Sequence, residues 1–397
     1  MKPHILVAGG GIGGLTAALA LLRRGYTVDI YEQATELREV GAGVQISANG
    51  TRTLHELGVL QDLLKLAVET QGKEIRLWST GQTWKLFDLG AESIKRYGFP
   101  YITVYRPDLH TVLANAVRAI RPDAIHLGCR VAGVEQQGGK VTLKLENGAS
   151  ATGDALVGSD GVHSRIRKQL FGADNPHFTG VMAWRMTMPM DKLPKHMVRM
   201  VASNWVGAGG HVVHYPLHRG ELMNFVGAIE RDDWKVESWT TRGSVDECLG
   251  DFAGWHEDVQ SMIKASAAHY KWALMVRDPM ERWTEGHVTL LGDACHPMLP
   301  MLAQGAVMAI EDGYILGRAF DAYGSDIPTA LAKYEAARRV RANKTVTGSA
   351  ENAKRFHNPT LAHKEGAQAY VDREWSEERI AQRYDWLFTY DVTRVEV

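Results

Sequence analysis

Cysteine is scarce in this chain: Cys129, Cys248 and Cys295 are the only three in 397 residues, and no two stand in CxxC spacing. That excludes a disulfide framework and a cysteine-rich zinc site. It fits a reducing, cytoplasmic setting, with no metal expected. Excess charge is missing too. Lysine and arginine number 45 against 46 acidic residues, for a formal net charge of −1. No basic surface is therefore on offer to nucleic acid, whose phosphates demand one. Repeats and low-complexity tracts are absent. An apolar run fit for a membrane is absent as well. Ile5 to Leu22 carries no charge over 18 residues, but five of them are glycines clustered in one turn. Those glycines break the helix that a span or a signal peptide requires. What remains is a globular composition, 45% hydrophobic and 23% charged, in a chain long enough for two domains or for one with a large insertion.

The glycine turn is itself the strongest local signal. A short apolar run, Ile5 to Ala8, reads as a buried parallel strand ending in Gly9-Gly10-Gly11-Ile12-Gly13-Gly14. Gly9, Gly11 and Gly14 match G-x-G-x-x-G. Leu15, Ala18, Leu19 and Leu22 then recur at helical spacing, and Thr27 to Tyr31 reads as a second strand with Glu32 at its tip. Glycines let the backbone approach a pyrophosphate, the helix N-terminus supplies free N–H groups, and a carboxylate about 20 residues on accepts a ribose hydroxyl.

Further along, the Gly41-Ala42-Gly43-Val44-Gln45 loop could let backbone touch a flat ring, or serve as an ordinary turn. Thr51 to Leu66 reads as one helix and 74–105 as antiparallel strands. Arg106 opens a helix and is a candidate for a phosphate or adenosine contact, or a plain surface arginine. A short buried strand at 155–157 enters Asp160-Gly161, which caps a helix carrying Arg165 and Arg167, a second anion-friendly place. Between 180 and 275, strand-like stretches alternate with polar turns, as in an inserted antiparallel domain. Period-2 alternation puts His211, Val213 and Tyr215 on one strand face, with His214 opposite. That face is either a core pair or a place where imidazole and phenol meet a ligand. Residues 287–292, another buried strand ending in glycine, lead through Asp293, Pro300 and Gly305 into a helix from Ala306. From 327 onward the pattern is helical, with Arg338, Arg339 and Arg341 on solvated faces.

Taken together, these motifs resemble the single-component flavoprotein aromatic hydroxylases. The resemblance spans the chain and rests on the order of Gly9–Gly14 with Glu32, Asp160-Gly161, and Gly292-Asp293 with Pro300 and Gly305. Gly41-Ala42-Gly43, the 293–297 stretch, Ala309-Ile310-Glu311-Asp312 and Asp385-Trp386-Leu387 are similar to the group that hydroxylates 3-hydroxybenzoate, 6-hydroxynicotinate and salicylate. The implied fold class is α/β. A Rossmann-like FAD-binding domain (1–73, 105–179, 276–325) would carry a mainly antiparallel substrate domain (74–104, 180–275) and a C-terminal helical segment (326–397). The resemblance implies non-covalent FAD held by Gly9, Gly11, Gly13, Gly14, Glu32, Arg38, Val44, Arg106, Asp160, Asp293, Pro300, Gly305 and Ala306. It implies substrate contacts at Gln45, Arg185, Pro300 and Met301, and proton handling by His211 and Tyr215. NADH or NADPH would reduce the flavin, with NADH favoured, and O₂ would react as a flavin C4a-hydroperoxide. Met301 replaces the histidine of the hydroxynicotinate and salicylate enzymes, which favours 3-hydroxybenzoate. Ala303 stands where the family usually has glycine. Expected partners are a small aromatic substrate, O₂ and NAD(P)H, without nucleic acid or membrane, and a homodimer is compatible. A flavin halogenase is disfavoured by the missing Trp-x-Trp-x-Ile-Pro, and a non-catalytic dinucleotide-binding protein by the three separate cofactor motifs.

Overall fold

The structure, a computed structural model, describes residues 2–37, 42–173, 175–234, 236 and 241–397. Strands His4–Ala8 and Thr27–Tyr31 pair in parallel around the helix Ile12–Leu22. They sit in a six-stranded sheet ordered Thr284–Glu285, Val288–Leu290, Ala155–Gly158, His4–Ala8, Thr27–Tyr31, Ile125–His126. All neighbours run parallel except the first pair. Ile5, Leu6, Val7 and Ala8 are wholly buried, as a parallel sheet covered on both faces requires. The helix Gly305–Tyr323 lies directly on Ile12–Leu22. At Gly313 a Cβ would stand 2.7 Å from the Ala17 nitrogen, so glycine permits that approach.

A second sheet of eight strands is ordered Arg242–Gly243, His269–Val276, His177–Pro189, Leu222–Glu230, Gly210–Leu217, Val201–Gly207, Gly72–Leu77, Thr83–Asp88. Its pairs are antiparallel except Val201–Gly207 with Gly72–Leu77. Side chains alternate between faces. On one face Met182, Trp184, Trp205, Met223 and Phe225 pack on Phe252, Val259 and Met262. On the other, Ile75, Leu77, Ala183, Val206 and Ala228 join a core with Leu299, Met301 and Leu302 of the first unit and Tyr370, Tyr384 and Phe388 of the C-terminal helices. That second face looks at the 299–302 turn, and it positions the site. Among the described residues, no helix is long and apolar enough to cross a membrane.

Local pattern misjudged three places. The helix expected over 51–66 is two, Ala48–Glu56 and Leu60–Leu64, because Gly58 adopts φ +65° between them. Helices Ala91–Tyr97 and Val245–Asp251 add to the expected set. Arg338 and Arg341, read as solvated, are buried at 0% and 9% exposure. Both lie on the 30-residue helix Ile327–Phe356. They turn inward because Glu311 and Asp312 of the neighbouring helix are buried opposite them, and charge buried without a partner is costly.

Candidate active site

The glycine turn is pinned at both ends and open in the middle. Gly9 adopts φ +105°, and a Cβ there would stand 2.3 Å from the Ser159 carbonyl oxygen; one on Gly14 would stand 2.0 Å from the Gly9 oxygen. A Cβ on Gly11, the cap of Ile12–Leu22, would meet nothing within 4 Å. That open edge, beside N–H groups with no partner inside the helix, is a cradle suited to a diphosphate. Gly13 packs on Leu291, whose Cδ2 would lie 2.6 Å from an added Cβ. Glu32 accepts the N–H groups of Gly10 (2.7 Å) and Ala34 (2.8 Å), which aims its carboxylate along the turn. The Arg106 N–H donates to the Ala42 carbonyl at 2.9 Å, placing this residue beside the strand Gly43–Ile46 that carries Val44 and Gln45. Arg38 lies outside the described residues.

Asp160 faces its own helix. Its carboxylate accepts the Ser164 hydroxyl and the N–H groups of Arg165 (2.8 Å) and Ile166 (3.2 Å). Arg165 pairs with Glu146, and Arg167 donates to the carbonyls of Ala294 (3.0 Å) and Val162 (2.8 Å). Arg167 thereby stitches the Asp160 turn to the turn Gly292–Ala294, on which Asp293 is exposed. The turn Pro300–Leu302 follows, then Ala303 at φ +55°, then the helix from Gly305 through Ala306. A flat ring with polar edges fits against such a turn and helix N-terminus, whose N–H groups favour negative charge.

A buried charged network holds this corner. Asp312 lies 2.6 Å from His296 and 2.7 Å from Arg338; Glu311 lies 2.7 Å from Arg338 and 2.8 Å from Arg341. Burial opposes charge on both carboxyls, but the guanidiniums, with His296 at Asp312, outweigh it and hold them below their usual range. Asn49 donates to Glu311 at 2.7 Å and to Gln304 at 3.2 Å, and Gln304 donates to Ser47 at 2.9 Å. Cys295 beside it is buried, and burial pushes its thiol well up, so it is no nucleophile.

Opposite the 299–302 turn, neighbouring strands of the large sheet align three rows of side chains. One contains Val206, His211 and Ala228; the next Asn204, Val213, Val226 and Arg185; the third Tyr215, Asn224 and Thr187. Lys73 pairs with Ala202, which packs on Tyr215. The Tyr215 ring lies on Gly43, where an added Cβ would be 2.5 Å from Cε2. Burial raises its phenol. Tyr101, raised by burial and then by Tyr384 and Tyr215, donates to Gln45 at 2.8 Å. The Arg185 guanidinium stands 5.6 Å over Trp272 and 5.8 Å over Tyr270. Burial lowers the Lys73 ammonium to about 8. Asn204 is 2% exposed, and among the described residues its Oδ1 has no hydrogen-bond partner; nor has Nδ2 of Asn224, whose Oδ1 accepts the Gly43 N–H at 2.8 Å. His211 Nδ1 meets His357 Nε2 at 2.6 Å, and His357 Nδ1 meets Glu230 at 3.0 Å.

The structure thus gathers His211, Tyr215, Arg185, Gln45 and Met301 around one face, while Pro300, which opens the same turn as Met301, is exposed. Glu32, Arg106 and Asp160 stand apart, along the glycine turn and its flanks. Lys73, Tyr101, Asn204, Glu230 and His357 escaped the sequence reading. Period-2 alternation from Ile75 and Leu77 would have put Lys73 on this face, but nothing local tells which strands are neighbours.

A family model described as FAD binding domain matches residues 2–349. The chain is 36% identical to a 3-amino-4-hydroxybenzoate 2-monooxygenase of Streptomyces platensis, over 99% of this chain and 98% of that one. It is 34% identical to a 3-hydroxybenzoate 6-hydroxylase of Polaromonas naphthalenivorans, over 98% and 96%. A solved structure of Klebsiella pneumoniae HpxO, complexed with FAD and uric acid, superimposes with TM-score 0.84 at 27% identity, covering 97% of each chain.

Proposed function

The chain belongs to the FAD-binding family of aromatic-ring monooxygenases, and on that premise we propose that it hydroxylates a small hydroxylated aromatic carboxylate resembling 3-hydroxybenzoate. Bound FAD supplies hydride acceptance from NAD(P)H and activation of O₂ as an electrophile. The cradle at Gly9, Gly11 and Gly14 with Glu32 and Arg106 would hold its adenosine diphosphate half. Asp293 would meet the ribityl chain, and the backbone from Pro300 to Ala306 would sit over the ring. An electrophilic oxygen needs an electron-rich carbon, which loss of the phenol proton creates ortho or para to that oxygen. His211 takes that proton, and Tyr215 holds the phenol oxygen. Arg185 and Lys73 offer positive charge to the carboxylate, and Gln45 and Asn204 bond the remaining polar edge. The apolar floor around Val213 excludes water.

One observation carries this reading. Beside His211 and Tyr215, the buried face holds an amide, Asn204, whose Oδ1 has no hydrogen-bond partner among the described residues. Such a group costs about 1–3 kcal/mol unless a ligand satisfies it. The test supplies NADH or NADPH with 3-hydroxybenzoate, 3-amino-4-hydroxybenzoate, 6-hydroxynicotinate, salicylate, benzoate and resorcinol, identifying products. Nicotinamide oxidation should accelerate, and hydroxylated product should form, only with rings bearing both hydroxyl and carboxylate. Equal turnover of resorcinol, or no hydroxylated product from the panel, would overturn the proposal.

A further inference from the structure

From the sheet's second face, one chain of hydrogen-bonded side chains leads out of the site. His211 is 2% exposed and His357 6%. The carboxylate of Glu230, bonded to His357, is 56% exposed. Backbone bonds hold all three together: Gly209 donates to the His357 carbonyl at 3.2 Å, and Glu230 donates to Gly209 at 2.8 Å. His357 ends the long helix Ile327–Phe356, its N–H on the Ala353 carbonyl at 3.2 Å, and Phe356 packs 5.1 Å from the His211 ring. The geometry is therefore built from three elements, two neighbouring strands and the end of a helix far from them in sequence.

Hydrogen-bond logic then fixes the protons. An ionised carboxylate only accepts, so His357 Nδ1 must carry the hydrogen facing Glu230. A neutral His357 then offers only a lone pair at Nε2, so His211 Nδ1 must be the donor. That leaves Nε2 of His211 unprotonated, on the ring edge away from His357. The groups acting on His211 are burial and His357; on His357 they are burial and Glu230. Burial lowers both imidazoles, which keeps the resting pair neutral.

We propose that His357 and Glu230 are positioning residues that set the tautomer of His211 and carry its proton to solvent. The inference rests on the reading of His211 as the group that takes the phenol proton. As the phenol O–H bond breaks, its proton joins His211 Nε2. The Nδ1 proton of His211 passes to His357 Nε2, and the Nδ1 proton of His357 passes to Glu230. Glu230 gives one proton to water, and no electron changes hands. Ring rotation or reverse transfer resets the pair.

Two measurements on the FAD-loaded enzyme test this. The first is ¹⁵N NMR of labelled histidine without any aromatic ligand. Wild-type His211 and His357 should both be Nδ1–H tautomers. In Glu230→Gln, whose amide can present donor or acceptor, His211 should become a mixture. An Nε2–H tautomer of His211 in the wild type, or no change in Glu230→Gln, would overturn the relay even if no aromatic is turned over. The second is product and H₂O₂ per NADH for His357→Phe and Glu230→Gln, using 3-hydroxybenzoate and 2-fluoro-3-hydroxybenzoate between pH 6.5 and 9.5. Hydroxylation should fall roughly 10²-fold in His357→Phe, as for lost acid–base help, and several-fold in Glu230→Gln. Both deficits should shrink at high pH and with the more acidic fluorinated phenol, while reduction by NADH is spared. A deficit independent of pH and of phenol acidity would mean these residues only support the fold, and the relay fails. A normal His211→Ala would instead remove His211 from the chemistry. Impaired His211→Ala with normal His357 and Glu230 variants would remove the relay alone.

Discussion

At Ala303 the backbone adopts φ +55° and ψ +41°, a left-handed conformation that costs a residue with a Cβ about 1–2 kcal/mol. The resemblance shows glycine there, so the sequence marks this position as unusual, and the fold says why: the turn must reverse between Pro300–Leu302 and the helix at Gly305. Ala303→Gly removes that strain but frees the unfolded chain by about 0.5–1 kcal/mol. The melting temperature should therefore move little. The turn should move more easily, and reduction by NAD(P)H in the presence of aromatic ligand should speed up; an unchanged reduction rate would show that the turn is not limiting. Gly43 is the opposite case. Its Cβ would collide with Tyr215, so Gly43→Ala should displace that ring and raise H₂O₂ per NAD(P)H while FAD stays bound. Gly9 and Gly14 could be assigned from sequence because their constraint is local. The constraint on Gly43 comes from residue 215, which local pattern cannot reveal.

Between elements, the helix Gly305–Tyr323 is fastened to Ile327–Phe356 by Glu311 and Asp312 on one side and Arg338 and Arg341 on the other. Helical spacing in the sequence shows which arginines share a face, but not what lies opposite. Spacing alone therefore puts them on solvated faces, although the acidic pair at 311–312, set in a strongly apolar helix, points the other way. Removing one partner leaves uncompensated buried charge, a loss of roughly 3–5 kcal/mol. Arg338→Met should thus lower the melting temperature and FAD occupancy together, since the same helix opens at the cofactor turn. Arg339→Met, one residue on and half-exposed, is the control and should do neither. If Arg338→Met keeps wild-type stability, the network does not hold this corner.

Over the whole molecule, the order of the nucleotide motifs and the alternation of the inserted strands were legible, since each is written in neighbouring residues. The site's second wall was not, because it depends on which strands of the large sheet lie side by side. His214 shows what this means for stability. It faces away from His211, its two ring nitrogens are buried with no hydrogen-bond partner among the described residues, and its pKa is lowered to about 3 by burial, then by Arg76, against a pull upward from Asp258. Its folded pKa lies below its unfolded value of about 6.5, so between those limits the unfolded chain binds more protons. Stability from this group is complete above about pH 6.5 and is lost as pH falls toward 3, by up to about 1.4 kcal/mol per unit. Asp258, held low by its histidine and arginine partners against burial, adds to the loss at the acid end of that window. His214→Leu replaces unpartnered nitrogens with apolar volume, so stability at pH 7.5 should hold or rise by about 1 kcal/mol. The fall in urea midpoint between pH 7.5 and 5.0 should become shallower than in the wild type, the residue of the slope coming from His211 and His357. Parallel pH dependences in the two proteins would mean that His214 is not held neutral by the fold.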